Sequence, residues 1–464
     1  MKLPEAFSLQ MQSILGDEYP AFVESLTQQT PTTITINKTK KLDESKIESL
    51  ATTNTILSSL SKESGVLWNS EGYYLPERPV FTLDPAFHAG AYYVQEASSM
   101  FVAEAIKQTV DLKKSLKVMD LCGAPGGKST LLASLLNNDS LLVANEVIKS
   151  RIGVLKENLE KWGFPNYIVS NHDPEEMVDL EGFFDVVLTD APCSGEGLFR
   201  KDPKAMNEWS ENSVQMCSAR QKRILQAASM LVAKNGILCY STCTYNEKEN
   251  EQNARWLTQT ADFEPVKLNI PAEWGVVEKE FGYQFFPHKV RGEGFYLAVF
   301  RKTRGDSQEP RGKIKFNRVP QKKIEVLKDW LQEPAKFEFY EKPDGQIVAI
   351  PAGLINEYAL IFRHLQKRSS GLEIGQFKGN DFIPSHDLAL SSAVSTQLPA
   401  IDLSKEDALR FLKKENFNPS LPEGTNGWLL ARYEGLNLGF MKVIGDRINN
   451  YLPKEWRIRM EIPE

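Results

Sequence analysis

The strongest constraint on the fold is an alternation of short apolar segments with helical ones between residues 91 and 303. Segments that alternate in this way predict an open, mostly parallel sheet covered by helices. The predicted fold class is therefore α/β, with a Rossmann-like, mostly parallel sheet and two strands antiparallel at one end. We predict parallel strands at 116–121, 141–145, 167–170, 184–189 and 236–240, helices that include 149–162 and 213–233, and closing strands around 283–287 and 294–301.

The length of the chain, 464 residues, predicts several domains because a single core rarely extends over so many residues. Residues 1–90 are predicted to form a small α/β accessory domain, and 91–303 the domain with the alternating pattern. The stretch at 305–315 is rich in Gly, Pro and charge and is the clearest linker. We therefore expect a linker and intermediate domain over 304–390 and a last α+β unit over 391–464.

The composition is typical of a globular protein: 41% of the residues are hydrophobic and 25% are charged. No apolar run approaches the roughly 18 residues of a membrane span. The first residues lack the apolar core of a signal peptide, and five cysteines suit a reducing compartment, so we predict a cytoplasmic protein. With five histidines and no Cys-x-x-Cys, no metal site is expected. We expect a monomer that binds no membrane.

The net charge of −6 does not predict a nucleic-acid partner, but the charge is unevenly distributed. Residues 289–328 contain twelve Lys or Arg and four acidic residues. Such a segment can form a surface that contacts phosphates. The alternative is a solvated linker, and the sequence leaves both open.

A glycine-rich loop follows the strand at 116–121 and precedes an apolar helix. It runs through Cys122, Gly123, Ala124, Pro125, Gly126, Gly127 and Lys128. Such a turn lets a ligand approach the backbone and the helix N-terminus. A phosphate-binding P-loop requires glycine at position 122, and the dinucleotide fingerprint requires glycine at position 125; neither is present. S-adenosylmethionine, a nucleoside cofactor without a pyrophosphate, fits what remains.

Acidic residues follow the next two predicted strands. Glu146 comes after 141–145, where a carboxylate can accept both ribose hydroxyls, and Asp173 comes after 167–170, where it can accept the adenine amino group. The alternative is that each acid only caps a helix. Their shared register with a parallel sheet favours the cofactor.

Two cysteines lie just beyond the carboxyl ends of predicted strands. Cys193 follows 184–189 in Asp190-Ala-Pro-Cys-Ser-Gly, and Cys243 follows 236–240 in Ser241-Thr-Cys-Thr. Open sheets place their chemistry at this edge, so the two loops are expected to be neighbours. A thiolate is a strong nucleophile and a good leaving group, and a second thiol nearby can act as a base. Chemistry alone leaves open which thiol attacks. Cys217 and Cys239 are interpreted as inert small apolar residues, and Cys122 as a packing residue of the cofactor loop.

These motifs resemble the RNA 5-methylcytosine methyltransferase (NOL1/NOP2/Sun) family. The resemblance covers roughly residues 1–303 and rests on the following segments: 120–130, 145–146, Asp173, 190–195, 241–244, 294–296 and the lead-in 90–100. It implies a class I S-adenosylmethionine-dependent methyltransferase fold and an RNA-binding N-terminal domain. It also implies that Cys243 attacks C6 of cytosine, that Cys193 assists product release, and that Lys128 and Arg151 lie near the cofactor or RNA.

The predicted site has a catalytic part and a cofactor part. Cys243, Cys193 and Asp190 are the expected catalytic residues, with Asp190 holding N3 or the amino group of the base. The expected cofactor site comprises the loop from Cys122 to Lys128 together with Glu146, Arg151, Asp173, Asp190 and Pro192. One departure from the family is Thr35-Ile36-Asn37, where an arginine usually precedes the apolar residue and asparagine. An RNA contact there is missing or is supplied from elsewhere.

The C-terminal third resembles bacterial ribosomal RNA members of the family, whose last domain is PUA-like. The stretch 436–453 carries this resemblance through apolar spacing and glycines. It makes ribosomal RNA of the small subunit (16S), or the subunit itself, the leading partner. Two alternatives stay open: the same reaction on transfer RNA, and a non-catalytic ribosome-assembly factor that retains the fold.

Overall fold

Four sheets organise the computed structural model of the protein, which describes residues 3–40, 56 and 60–462. Helices α1 (Glu5–Leu15) and α2 (Tyr19–Ser25) precede the first sheet, whose strand order is β2-β3-β1-β4. Its elements are β1 (Thr32–Ile36), β2 (Gly65–Val66), β3 (Asn69–Leu75), α3 (Pro85–His88) and β4 (Tyr92–Val94). The sheet thus extends past residue 90, and the boundary there stays a prediction; 41–55 and 57–59 lie outside the described residues.

The second sheet is the predicted parallel sheet, and its order is β11-β12-β13-β9-β8-β5-β6-β7, with β10 paired to β13. Strands β5 to β9 pair in parallel, and β12 and β13 continue the sheet antiparallel, so the predicted α/β fold is confirmed. The strands are β5 (Lys117–Asp120), β6 (Leu141–Asn145), β7 (Tyr167–Ser170), β8 (Phe184–Asp190), β9 (Val232–Thr242), β10 (Phe263–Pro265), β11 (Val277–Glu278), β12 (Tyr283–Phe285) and β13 (Phe295–Lys302). The helices are α4 (Phe101–Thr109), α5 (Gly127–Leu135), α6 (Ile152–Trp162), α7 (Pro203–Glu208), α8 (Glu211–Leu231) and α9 (Glu251–Thr260).

Alternate residues of each strand point to opposite faces of this sheet, and both faces are buried. Val118, Leu142 and Val186 pack with α4, α5 and α6. Met119 and Val143 pack on the other face with α8, α9 and residues of the following unit. The polar loops at the carboxyl ends of the strands therefore stand on a rigid core.

The region after residue 303 has a weaker apolar pattern in its sequence but forms two further sheets. The linker 305–315 contains no helix or strand and leads to a five-stranded antiparallel sheet and then a four-stranded one. The first of these units contains β14 (Asn317–Arg318), α10 (Gln321–Lys328), β15 (Phe337–Glu341), β16 (Gln346–Pro351), α11 (Ile355–His364), β17 (Leu372–Lys378), β18 (Asp381–Pro384) and α12 (His386–Leu390). The second contains β19 (Ala400–Asp402), α13 (Lys405–Lys413), β20 (Gly427–Tyr433), β21 (Leu436–Ile444) and β22 (Arg447–Asn450).

The C-terminal units cover parts of the first two sheets that would otherwise be exposed. The main chain of 367–369 pairs with the edge strand β7: the N–H of Ser369 donates to the carbonyl of Val169 at 2.8 Å. Apolar residues of the first sheet, such as Ile34 and Tyr92, share a core with Leu429 and Met441 of the last sheet. An otherwise unpaired strand edge is thereby closed, and the last unit is fixed beside the first.

Candidate active site

The predicted cofactor loop connects β5 to α5 and is held by side chains of α6 and of the turn before it. Arg151 donates to the carbonyl of Ala124, and Asn158 donates to the carbonyl of Pro125 at 2.8 Å. Gly126 has φ of +120°, a backbone conformation that favours glycine. A Cβ at Gly123 would lie 2.9 Å from Oγ of Ser129, so that position also excludes side chains. The loop therefore turns tightly, with Cys122 half-buried and Gly127 beginning α5.

Asn145 joins the ends of three neighbouring strands. Its amide donates to the carbonyls of Leu121 and His172 at 3.1 and 3.0 Å, and its Oδ1 accepts from Oγ of Ser170 at 2.8 Å. The side chain is fully buried. The loops after β5, β6 and β7 are therefore held in a fixed relation.

Glu146 lies at the carboxyl end of β6, as predicted for a ribose ligand. Its carboxylate is almost fully buried, accepts the N–H of Ile148 at 2.8 Å and pairs with Arg151 at 3.2 Å. Because Arg151 also binds the cofactor loop, the acid and the loop are positioned together. Two predicted cofactor residues are thus in direct contact.

Asp173 caps a helix, which is the alternative that the sequence left open. Its side chain accepts the N–H of Glu175 and forms a capping box with Glu176. Both carboxylate oxygens also pair with Arg223, at 3.0 and 3.2 Å. Its predicted contact with adenine therefore requires this ion pair to open or to be shared, and it stays a prediction.

Asp120 is a fully buried carboxylate directly before the cofactor loop. Oδ2 accepts a hydrogen bond from Oγ of Ser129 at 2.6 Å, whereas Oδ1 has no hydrogen-bond partner among the described residues. Burial raises the pKa of Asp120 to about 7. A buried oxygen with unused acceptor capacity, next to a glycine-rich turn, is consistent with a ligand bound to this loop.

The two predicted catalytic thiols are in contact. Strands β8 and β9 pair in parallel with Asp190 opposite Ser241, so the loops that follow lie side by side. The Sγ atoms of Cys193 and Cys243 are 2.8 Å apart, and the N–H of Cys243 donates to Sγ of Cys193 at 3.3 Å. Both are free cysteines. The hydrogen bond with Cys243 and burial raise the pKa of Cys193 well above its usual value, so Cys193 is held as a thiol.

Asp190 lies beside the thiols and binds two polar side chains. Oδ2 accepts Lys128 Nζ at 2.7 Å, and Oδ1 accepts Ser241 Oγ at 2.7 Å. Burial opposes a charge on Lys128, but the neighbouring Asp190 outweighs it and raises the pKa of the lysine. The ammonium also lies 5.3 Å from the ring centre of Phe295. A cation, a carboxylate and two thiols thus surround one point at the sheet edge.

A buried polar network holds the loop that carries Cys193. Gln221 donates to the carbonyl of Pro192 at 3.0 Å and to Oε2 of Glu249 at 2.8 Å. The same Oε2 accepts the N–H of Ser194 at 2.9 Å. Burial raises the pKa of Glu249 to about 7. Pro192 is therefore fixed from the helix side, and sequence reasoning missed Gln221 and Glu249 because they lie in a helix and a loop far along the chain.

A buried ion pair fixes the segment that follows the Cys193 loop. Arg200 donates to both oxygens of Glu293 at 2.9 to 3.1 Å and to the carbonyl of Gly292 at 2.7 Å. Both side chains are almost fully buried. Removing one partner leaves an unpaired buried charge.

We expect Glu293→Gln to lower the free energy of unfolding by about 3–5 kcal/mol, because Arg200 then keeps its charge without a carboxylate. Urea denaturation followed by tryptophan fluorescence measures the change. The matched control is Glu309→Gln, which removes the exposed partner of Arg311 and is expected to have little effect. Equal effects of the two substitutions would contradict the assignment.

Many cations of the basic segment 289–328 contact other groups of the protein. Its cations bind acidic side chains, main-chain carbonyls or an aromatic ring in these pairs: Lys289 with Glu18, Arg291 with Tyr74, Arg301 with Asn235, Lys302 with Ser229, Arg304 with Asp262, Arg318 with Glu338, Lys323 with Glu341 and Lys328 with Glu325. Several of these cations remain exposed, such as Arg304 and Arg318, so the phosphate-binding interpretation stays a prediction. Thr35 is buried and donates to Gln95 at 2.9 Å, so the position that departs from the family contacts the protein interior.

The remaining cysteines differ in their surroundings. Cys239 lies fully buried in the sheet core, as predicted, and burial raises its pKa to about 12. Cys217 is only half-buried on α8, and its interpretation as an inert residue stays a prediction. Within 3–40, 56 and 60–462, no group of three or more His, Cys, Asp or Glu could hold a metal ion. Across that same part of the chain, no helix has the length and apolar character needed to cross a membrane.

Known proteins match each part of the chain. The family model described as 16S rRNA methyltransferase RsmB/F matches residues 107–301, and those described as the N-terminal and PUA domains of RsmF match 3–97 and 398–458. The Ribosomal RNA small subunit methyltransferase F of Vibrio campbellii is 31% identical over 98% of this chain and 97% of its own. The chain belongs to the RsmF family. The protein of the same name from Pectobacterium atrosepticum is 32% identical over 79% of this chain and 78% of its own.

Solved structures agree with this family and its fold. A methyltransferase homolog protein from Pyrococcus horikoshii has a TM-score of 0.51 and 25% identity over 65% of this chain and 100% of that one. NSun6 from the same organism, 20% identical with a TM-score of 0.53 over 65% of this chain and 99% of its own, shares the fold. The predicted family, the Rossmann-like sheet and the PUA-like last unit are confirmed. The RsmF family consists of S-adenosylmethionine-dependent ribosomal RNA methyltransferases.

Proposed function

We propose that the protein transfers a methyl group from S-adenosylmethionine to C5 of a cytosine in small-subunit ribosomal RNA, through a covalent bond between Cys243 and C6. The contact between the Cys193 and Cys243 thiols, 2.8 Å apart beside Asp190, is the observation that carries the proposal. The names of the similar proteins support the small subunit as the substrate. We place this reaction in the cytoplasm. Among the described residues, no helix could cross a membrane.

The cofactor residues are proposed from the loop and the strand ends. Within the turn from Cys122 to Lys128, the glycines at 123, 126 and 127 leave the backbone accessible at those positions, and Glu146 offers a carboxylate at the adjoining strand end. Asp173 and Pro192 lie at the next strand ends along the same edge. When bound there, S-adenosylmethionine supplies an electrophilic methyl group. Every other step is assigned to side chains of the protein.

Attack on the base begins with the Cys243 thiolate. C5 of cytosine is a weak nucleophile, and addition of sulfur to C6 breaks the aromaticity and makes C5 an enamine carbon. As a carboxylate, Asp190 can accept a hydrogen bond from the exocyclic amine; in its protonated form it can donate to N3 as negative charge develops on the ring. Lys128, 2.7 Å from Asp190, keeps that carboxylate oriented and balances the local charge.

Release requires loss of the C5 proton and expulsion of Cys243. The largest cause of the raised Cys193 pKa is its hydrogen bond with Cys243. Once Cys243 is a thioether it no longer holds a proton or a charge, so Cys193 becomes easier to ionise. Cys193 then loses its own proton to solvent, and its thiolate accepts the C5 proton as the C6–S bond breaks and the Cys243 thiolate leaves. The contact therefore provides a base at the step that needs one.

We expect the purified protein to incorporate 5-methylcytosine into small-subunit ribosomal RNA when supplied with S-adenosylmethionine. Bisulfite sequencing of the RNA, as free RNA and within the small subunit, identifies the modified position. Transfer RNA serves as the competing substrate. Methylation confined to transfer RNA, or methyl transfer to a position other than C5, would overturn the proposal.

A further inference from the structure

Glu196 is a fully buried carboxylate that follows the Cys193 loop, and every neighbour around it donates a hydrogen bond. Oε2 accepts the N–H of Tyr245 at 3.2 Å and the amide of Gln10 at 3.1 Å. Oε1 accepts the amide of Asn246 at 3.0 Å and the indole N–H of Trp209 at 3.1 Å. Four donors from three distant parts of the sequence thus converge on one side chain.

These contacts tie the two cysteine loops together. Glu196 comes three residues after Cys193, and Tyr245 comes two residues after Cys243. Next to them, the N–H of Gly197 donates to the carbonyl of Cys243 at 2.9 Å. A displacement of Glu196 would therefore move one thiol relative to the other.

The same carboxylate connects the loops to the N-terminal helix. Gln10 of α1 donates to Glu196 and accepts the amide of Asn246 at 2.7 Å. Phe7, one turn earlier on α1, packs against the rings of Phe199 and Trp209 at 4.9 and 5.9 Å. Helix α1 therefore contacts both cysteine loops through polar and apolar groups.

Hydrogen bonds determine what it costs to bury Glu196. Glu196 forms no ion pair with Lys, Arg or His in the described part of the chain, and burial raises its pKa. Burying a carboxylate without a cation costs free energy that hydrogen bonds must offset, and an apolar side chain at this position would leave the four donors unpaired. What the carboxylate provides is acceptance of four donors in one fixed geometry.

We propose that Glu196 is a positioning residue that sets the contact between Cys193 and Cys243, and that through Gln10 it makes helix α1 part of the active site. The inference rests on the proposed function, since it assigns Glu196 and α1 to the same reaction. It means that the N-terminal unit contributes to the rate of the chemical steps and not only to RNA affinity.

Glu196→Gln is the first test. The glutamine has the same shape, but its NH₂ group replaces an acceptor oxygen and would face the N–H donors that now bind Glu196. We expect kcat to fall about 100-fold, the effect typical of a reactive group displaced by about 1 Å, with little change in the KM for S-adenosylmethionine. Glu196→Asp, which retains an acceptor with both oxygens, is expected to recover part of kcat. A role confined to stability would lower the thermal midpoint without this split between kcat and KM.

Gln10→Leu is the second test and leaves both cysteine loops unchanged in sequence. It removes the hydrogen bonds that connect α1 to Glu196 and Asn246. We expect kcat to fall about 10-fold while the KM for RNA stays the same. Gln12→Leu, the same change at an exposed position of the same helix, is the matched control and is expected to keep wild-type kcat. If Glu196→Gln does not fold, Gln10→Leu decides alone.

The outcomes separate this inference from the proposed function. A wild-type protein that forms no 5-methylcytosine refutes the proposed function. A wild-type protein that methylates, with Gln10→Leu matching Gln12→Leu in kcat, refutes the positioning role alone. A fall in RNA affinity at unchanged kcat would likewise assign α1 to binding only.

Discussion

Cys243→Ala is expected to reduce methylation of ribosomal RNA by at least about 10⁴-fold, because without the sulfur C5 of cytosine is not activated. Binding of RNA and of S-adenosylmethionine should survive. The thiol contributes little surface, and the cofactor loop follows a different strand, β5. Methyl transfer from labelled S-adenosylmethionine measures the rate, and calorimetry of cofactor binding shows that the site remains intact.

The matched control for this substitution is Cys217→Ala. Cys217 lies half-buried on α8 and takes no part in the proposed reaction, so the variant is expected to methylate at the wild-type rate. The comparison separates loss of a particular thiol from loss of any accessible thiol. A Cys243→Ala variant that still methylates at the wild-type rate would remove Cys243 from the mechanism.

The parts of the site that sequence predicted are those governed by local rules. An apolar strand followed by Gly, Pro or Cys defines where a loop begins, and the carboxyl ends of parallel strands share one edge. The cofactor loop, Glu146 and the adjacency of the two cysteines follow from these rules alone. The structure adds the distance of 2.8 Å between the sulfur atoms, which no strand pattern contains.

The parts that sequence did not predict depend on contacts between distant residues. Glu196 binds Gln10, 186 positions earlier, and Asn246, 50 positions later. Polar residues in loops show no periodicity, so nothing in the sequence indicates which of them meet. The basic segment 289–328 shows the same limit, because acidic side chains that pair with some of its cations, such as Glu18 and Glu338, lie outside it.

The intermediate unit shows a related limit. Its strands differ: β15 is only partly buried, whereas β16 is buried on both faces, so 304–390 shows no regular alternation in the sequence. In the structure, Tyr340 and Val348 of these strands enter the core of the preceding domain. Their burial is decided by packing between units, which local composition does not report.

Cys193→Ala is expected to accumulate a covalent complex between the protein and RNA, the opposite of the effect at Cys243. Attack by Cys243 and methyl transfer do not need Cys193, whereas removal of the C5 proton does, so the reaction should stop at the C6 thioether. Removing Cys193 also removes the hydrogen bond that couples the two thiols. Denaturing electrophoresis with labelled RNA detects the complex as a slower band that depends on S-adenosylmethionine.

The double variant Cys193→Ala/Cys243→Ala provides the control, because it lacks the attacking sulfur and should give no slower band. The order of the two thiols, which chemistry alone leaves open, is decided by comparing the single variants. A band with Cys193→Ala and none with Cys243→Ala assigns attack to Cys243. A band with Cys243→Ala alone would reverse the roles, and then the raised pKa of Cys193 would have to be overcome by RNA binding before attack.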